Sequence, residues 1–166
     1  MEEPEARRSG EMLRRIALAR AALDALVGAL SDDGLQRPNP AGGWPVTGHL
    51  THIAAWERMI VAHLTGGTDH DVVGMTPPEY ERATLDELNA RIYTMHEHDE
   101  VADVRIEFRD AHQAILRRLE TLTPEQLAAP YWPGEARTVA DKIAGDTYLH
   151  YGEHRAWILE IVGDGE

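Results

Sequence analysis

The chain has 166 residues, 43% of them hydrophobic and 27% charged, which suits one globular domain over residues 1–166 with a core of its own. Sixteen basic residues face 29 acidic ones, a formal charge of −13, and this argues against partners that present phosphates, whether nucleic acid or an anionic membrane surface. With no cysteine in the chain, disulfides, a thiolate nucleophile, iron–sulfur clusters and Cys-ligated zinc are excluded.

Helical spacing comes first over roughly 5–30, where Met12, Ile16, Ala19, Leu23, Leu26 and Leu30 step by three and four. Ser31-Asp32-Asp33-Gly34 stops that pattern, and 36–43 (QRPNPAGG) reads as a loop. A second helix is expected near 45–66. Pro45 stands in its first turn, Val46, Leu50, Ile53, Ile60 and Leu64 form its stripe, and Gly66-Gly67 closes it. Residues 67–78 read as a long ordered loop over one end of the fold. A shorter helix near 79–97 and a long one near 99–122 follow, the latter carried by Ile106, Phe108, Ala111, Ile115, Leu119 and Leu122. Thr123-Pro124-Glu125-Gln126 resembles a helix start, 129–137 a loop, and 138–162 the last helix. The prediction is an all-α four-helix bundle with an extra short helix before the third long one. No apolar run reaches the ~18 residues of a membrane span. The opening MEEPEARRSGEMLRR also lacks the apolar stretch of a signal peptide, so a cytoplasmic location is expected.

Nine histidines are many for this length. His150 and His154, four apart on a helix, share a face. At about 100° per residue, Val139, Ile143, Trp157 and Ile161 fall on the same side, which makes it the expected core-facing stripe. Buried imidazoles need partners, because an unpaired buried polar group costs ~1–3 kcal/mol. A divalent ion satisfies both rings, and so do two separate structural partners. Asp146, one turn earlier, is placed to fix a ring tautomer. The string H-x-x-E-H also matches a zinc peptidase motif, but only twelve residues follow His154, too few for that motif's downstream carboxylate ligand. A third ligand should come from another helix, where periodicity leaves His49, His52 and His63 open. Glu57 falls on the apolar stripe of the second helix and is either ion-paired or functional. His70, His96, His98 and His112 read as surface residues. Tyr148, Tyr151, Gly145, Gly152 and Leu159 fall on the side of the last helix away from His150. That leaves the helix apolar on two sides and predicts a homodimer.

Three stretches, Trp44 to Met59 (WPVTGHLTHIAAWERM), Asp86 to Tyr93 (DELNARIY) and Thr147 to Ile158 (TYLHYGEHRAWI), resemble the DinB/YfiT-like superfamily of small four-helix proteins, and within it the ClbS/DfsB branch. The resemblance runs through essentially the whole chain. It implies an up-down-down-up bundle, often a homodimer, and a divalent metal ion, nickel or zinc, held by three histidines. One of these lies eight residues after a Trp at the start of the second helix; counted from Trp44 that is His52, and His150 and His154 match the other two. The expected metal ligands are therefore His52, His150 and His154, with Glu57 and Asp146 as candidate catalytic carboxylates and Trp56 and Trp157 as candidate binding residues. The implied activity is metal activation of water or of a low-molecular-weight thiol for attack on a small electrophilic substrate reached past the 67–78 loop. The alternative is a protein that binds and sequesters such a molecule without turnover.

Overall fold

The computed structural model describes residues 2–163, with side chains from Ser9 onward. Its long first helix, α1 (Glu2–Gly28), covers the first predicted segment. The Ser31 stop signal proves to be a start as well. Its hydroxyl accepts from the Gly34 N–H at 3.1 Å and caps a short α2 (Asp32–Gln36), where the sequence pattern indicated only the end of the first helix. The second long helix, α3 (Val46–Leu64), follows Pro45. The segment expected to be a loop contains one short turn, α4 (Asp69–Val72).

The predicted 79–97 helix is in fact two, α5 (Pro77–Arg82) and α6 (Leu85–His96). They part at Thr84, whose hydroxyl accepts from the Glu87 N–H while the Glu87 carboxylate accepts from the Thr84 N–H. This reciprocal cap opens a new helix in mid-pattern. α7 (Val101–Leu119) and the short α8 (Pro124–Ala128) follow.

The last helix is interrupted. α9 (Val139–Ala144) passes through a π-helical turn, 145–149, into α10 (His150–Val162). A π turn takes up one residue more than an α turn, so a helical wheel drawn from Val139 arrives at α10 about 100° out of phase. The buried stripe of α10 is Tyr151, His154, Ile158 and Ile161. Tyr151, expected on the far side, is fully buried, and Trp157, expected to face inward, is 45% exposed.

α3 packs along α7, α1 runs against α10 and the π turn, and α10 also meets α3. The long elements α1, α3, α7 and α9–α10 form an up-down-down-up four-helix bundle. Its core includes Leu23, Leu50, Ile53, Ile115, Ile143 and Ile158. Among the described residues there is no strand, only an isolated bridge from Pro130 to Thr138. No helix among them is long and apolar enough to cross a membrane.

α6 lies beside α3 and approaches it closely at Gly48. A Cβ there would stand 2.8 Å from the Trp44 Cβ and 3.0 Å from the Tyr93 ring. The approach lets Trp44 stack on Tyr93, with centroids 5.6 Å apart and planes 8° from parallel. No such crowding exists at Gly145 or Gly152, where an added Cβ meets nothing within 4 Å.

Candidate functional site

α3 and α10 bring four histidines together. Nε2 of His150 lies 3.1 Å from Nε2 of His52 and 2.9 Å from Nε2 of His154. His52, His150 and His154 each offer a nitrogen within 4.8 Å of the others. His52 and His154 are buried and His150 is half-buried. Two imidazole nitrogens on one tetrahedral ion, each at ~2.0–2.1 Å, stand about 3.3 Å apart, so these separations fit three ligands on a single ion. The donor set fits as well, because imidazoles suit zinc, nickel, copper and iron. His49, the other candidate on α3, does not join the three Nε2 atoms. Its Nδ1 meets Nδ1 of His154 at 2.8 Å.

All four rings are held in the neutral form, the form a ligand needs. Burial takes His49 and His150 down to about 4, against a smaller opposing pull on His150 from the Asp146 backbone. Burial takes His52 to about 3, helped by His150 and His49, and lowers His154 furthest, with the neighbouring rings adding to the effect.

Aromatic rings wall the cluster. Trp44 lies 5.0 Å from the His52 ring, and Trp157 lies 4.9 Å from that of His154. A cavity of about 450 Å³ opens beside the histidines, with Trp56, Asn89, Lys142, Asp146 and Trp157 in its lining. Both predicted binding residues, Trp56 and Trp157, therefore border it. Asp146 borders it too, although its carboxylate is engaged by Lys142 rather than by a histidine ring. Lys142 is the chain's single lysine and is only 6% exposed. Its ammonium also sits 4.4 Å from the centre of the Trp56 ring. Burial raises the Asp146 carboxyl, with Lys142 pulling the other way.

Glu57 lies elsewhere. It is fully buried and is not in the lining of this cavity. Its Oε1 accepts from the Tyr151 hydroxyl, lies 3.1 Å from His112 Nδ1 and stands 3.7 Å from Arg20 Nη1. Arg20 is itself 4% exposed, with its Nη2 bonded to the Phe108 carbonyl at 2.8 Å and its guanidinium 3.6 Å from the Phe108 ring centre. Of the two readings the sequence allowed for Glu57, the structure shows the ion pair. It also moves His112 from the surface into this network. Its apolar neighbours Phe108, Ala111 and Ile115 carry the inward face of α7, and His112 lies next to that stripe.

His63 stacks on Tyr131 at 3.9 Å and is not part of the histidine cluster. The 67–78 segment does not form the mouth of the histidine cavity, which α3, α6 and the last helix border instead. Gly67 to His70 and Pro77 line a separate cavity with Tyr80 and Trp132. Sequence reasoning also missed Lys142 and Asn89 as lining residues. A lone lysine one turn before Asp146 was the available signal for the first, and no pattern marks the second.

An up-down-down-up helical bundle with three histidines converging from two of its helices defines the class of protein. The profile of the DinB superfamily matches residues 15–158, and the chain belongs to that superfamily. A solved structure similar to this one is that of an uncharacterised protein from Escherichia coli UTI89. The TM-score is 0.72 at 15% identity, over 92% of this chain and 91% of that one, and at that identity the likeness shows the fold. Comparison with curated proteins gives no match.

Proposed function

We propose that His52, His150 and His154 hold one divalent ion, nickel or zinc, and that the protein acts with it on a small electrophilic molecule in the adjoining cavity. The reaction would be a hydrolysis or a transfer to a low-molecular-weight thiol, in a detoxifying role. The observation that carries this reading is the convergence of three Nε2 atoms at ligand spacing with no carboxylate among them. The ion, when bound, supplies a lowered pKa to a coordinated water or thiol.

The chain's own residues do the rest. Trp56 and Trp157 give a substrate aromatic surface to lie against. Lys142 fixes Asp146 at the cavity wall through Oδ2, which leaves Oδ1 as the atom where a proton is taken up or released. Glu57 keeps a structural part only. The three motifs that resemble the ClbS/DfsB branch support that placement within the superfamily, and Leu149 and Trp157, exposed on the last helix, support a homodimer.

The test is metal analysis of tag-free protein, followed by a screen for thiol transfer to electrophiles. Metal at one equivalent per chain, with turnover that chelation abolishes, bears the reading out. A second reading, sequestration without turnover, draws on the aromatic walls of the cavity. It would show as tight binding of an electrophile recovered unchanged.

A further inference from the structure

His49 is the fourth member of the cluster, and the three converging Nε2 atoms leave it without an assigned part. It is 6% exposed and lies between Trp44 and Trp157, at centroid distances of 5.7 and 6.1 Å. Its Nε2 is buried without a hydrogen-bond partner. A leucine would fill this space without stranding a polar atom, and a buried orphan of this kind calls for an explanation. The one polar contact the ring makes is through Nδ1, 2.8 Å from Nδ1 of His154.

Two ring nitrogens at that distance share one hydrogen, and a neutral imidazole carries only one N–H. The tautomers are therefore coupled. When His154 donates from Nδ1, its Nε2 carries a lone pair toward Nε2 of His150, 2.9 Å away. His49 then accepts at Nδ1 and carries its own hydrogen on Nε2. When His49 donates instead, His154 must carry its hydrogen on Nε2, and that nitrogen is closed to an ion. Nδ1 of His52 and Nδ1 of His150 have no comparable side-chain partner.

We propose that His49 is a positioning residue that sets the tautomer and ring orientation of His154, so that His154 presents a lone pair to a metal ion. This rests on the metal reading given above. A hydrogen-bond partner on the far nitrogen of a ligating histidine typically changes metal affinity 10–100-fold.

The experiment titrates zinc, and separately nickel, into tag-free, chelator-treated protein and compares the parent with His49→Leu, His49→Asn and His150→Ala. Asparagine can place its carbonyl oxygen near the position of Nδ1 and so restore an acceptor, whereas leucine cannot. The expected result is affinity lowered roughly 10–100-fold in His49→Leu, recovery in His49→Asn, and an unchanged or higher melting temperature for metal-free His49→Leu. Imidazole nitrogen NMR of the metal-free parent should show His154 protonated at Nδ1, with that preference lost in His49→Leu. Parent-like affinity in His49→Leu, or His49→Asn as weak as His49→Leu, overturns the proposal while the metal site stands, provided His150→Ala still loses the ion. A parent that binds neither ion overturns both.

Discussion

α3 and α10 build two buried polar clusters, and the two solve the burial problem differently. Around Glu57 the chain supplies opposite charge and hydrogen bonds, all at Oε1: a guanidinium 3.7 Å away, a tyrosine hydroxyl and an imidazole, while Oε2 has no hydrogen-bond partner. A carboxylate that is fully buried survives because opposite charge and hydrogen bonds offset its lost hydration. Around His150 the side-chain partners at hydrogen-bond distance are other imidazoles. Nε2 of His52 and Nε2 of His154 each stand about 3 Å from Nε2 of His150, and a ring nitrogen has one hydrogen or one lone pair to give, not both. The first cluster balances its charge within the protein, and the second brings three imidazole nitrogens to ligand spacing with no opposite charge among them.

The largest expected effect falls on the first cluster. Glu57→Leu leaves Arg20 its 2.8 Å ion pair with Asp24 but takes the acceptor from the buried Tyr151 hydroxyl and from His112, which should cost about 1–3 kcal/mol for each stranded group, read from urea unfolding. Its metal affinity, measured on the folded fraction, should stay at the parent value. A loss of metal in this variant would tie the two clusters together and dissolve the contrast.

His150→Ala should do the reverse. Removing a ligand should weaken metal binding by more than the roughly 10–100-fold that follows loss of a ligand's hydrogen-bond partner. The metal-free protein should unfold at nearly the same urea concentration as the parent, because a bundle of this size is not held together by its ion as a zinc finger is. For the parent, metal at a hundred times its Kd should add about 2.7 kcal/mol, an increment that His150→Ala lacks.

Acid separates metal-free from metal-loaded protein. Burial takes His49 and His150 down to about 4 and His52 to about 3, whereas in the unfolded chain all three regain the ordinary histidine value of about 6.5. Between those values the unfolded chain binds more protons than the fold. Stability is therefore full above about pH 6.5 and falls as pH drops toward 4. Metal-loaded protein should start higher and fall more steeply, since protons also displace the ion. Urea midpoints across that range, with and without zinc, check both slopes.

The smallest effect belongs to the outer face of α10. An added Cβ at Gly152 meets nothing within 4 Å, so Gly152→Ala should raise stability by about 0.5–1 kcal/mol through helix propensity alone. Destabilisation, together with a shift in elution volume, would place Gly152 at a contact between two chains.

Much of the bundle was legible in the sequence, because the stripes of α1, α3 and α7 repeat at helical spacing; Ile106, expected on the inward stripe of α7, is the exception and is 45% exposed. The short helices were harder to foresee. Ser31 and Thr84 each open a helix inside what looked like a stop or a continuous run, and such caps act over only three residues. The π turn was invisible, since its hydrogen-bond shift leaves no mark in composition, and it turns the core face set by Val139 and Ile143 toward Tyr151 and away from Trp157 on α10. For the site, the i,i+4 pair was readable, but His49 and His52 are buried to almost the same degree. Periodicity has nothing to separate them, and the resemblance of Trp44 to a family position did so. Glu57 could be read as ion-paired or functional but not matched to its partners, because Arg20 and His112 reach it from two other helices.

On the proposal above, His52, His150 and His154 form one metal site apart from the Glu57 network. Calorimetric titration of nickel and zinc into tag-free, chelator-treated protein tests it most directly. The account predicts saturation at one ion per chain in the parent and in Glu57→Gln, with no saturable binding in His150→Ala. Absence of saturable binding in the parent, or undiminished binding in His150→Ala, would contradict it.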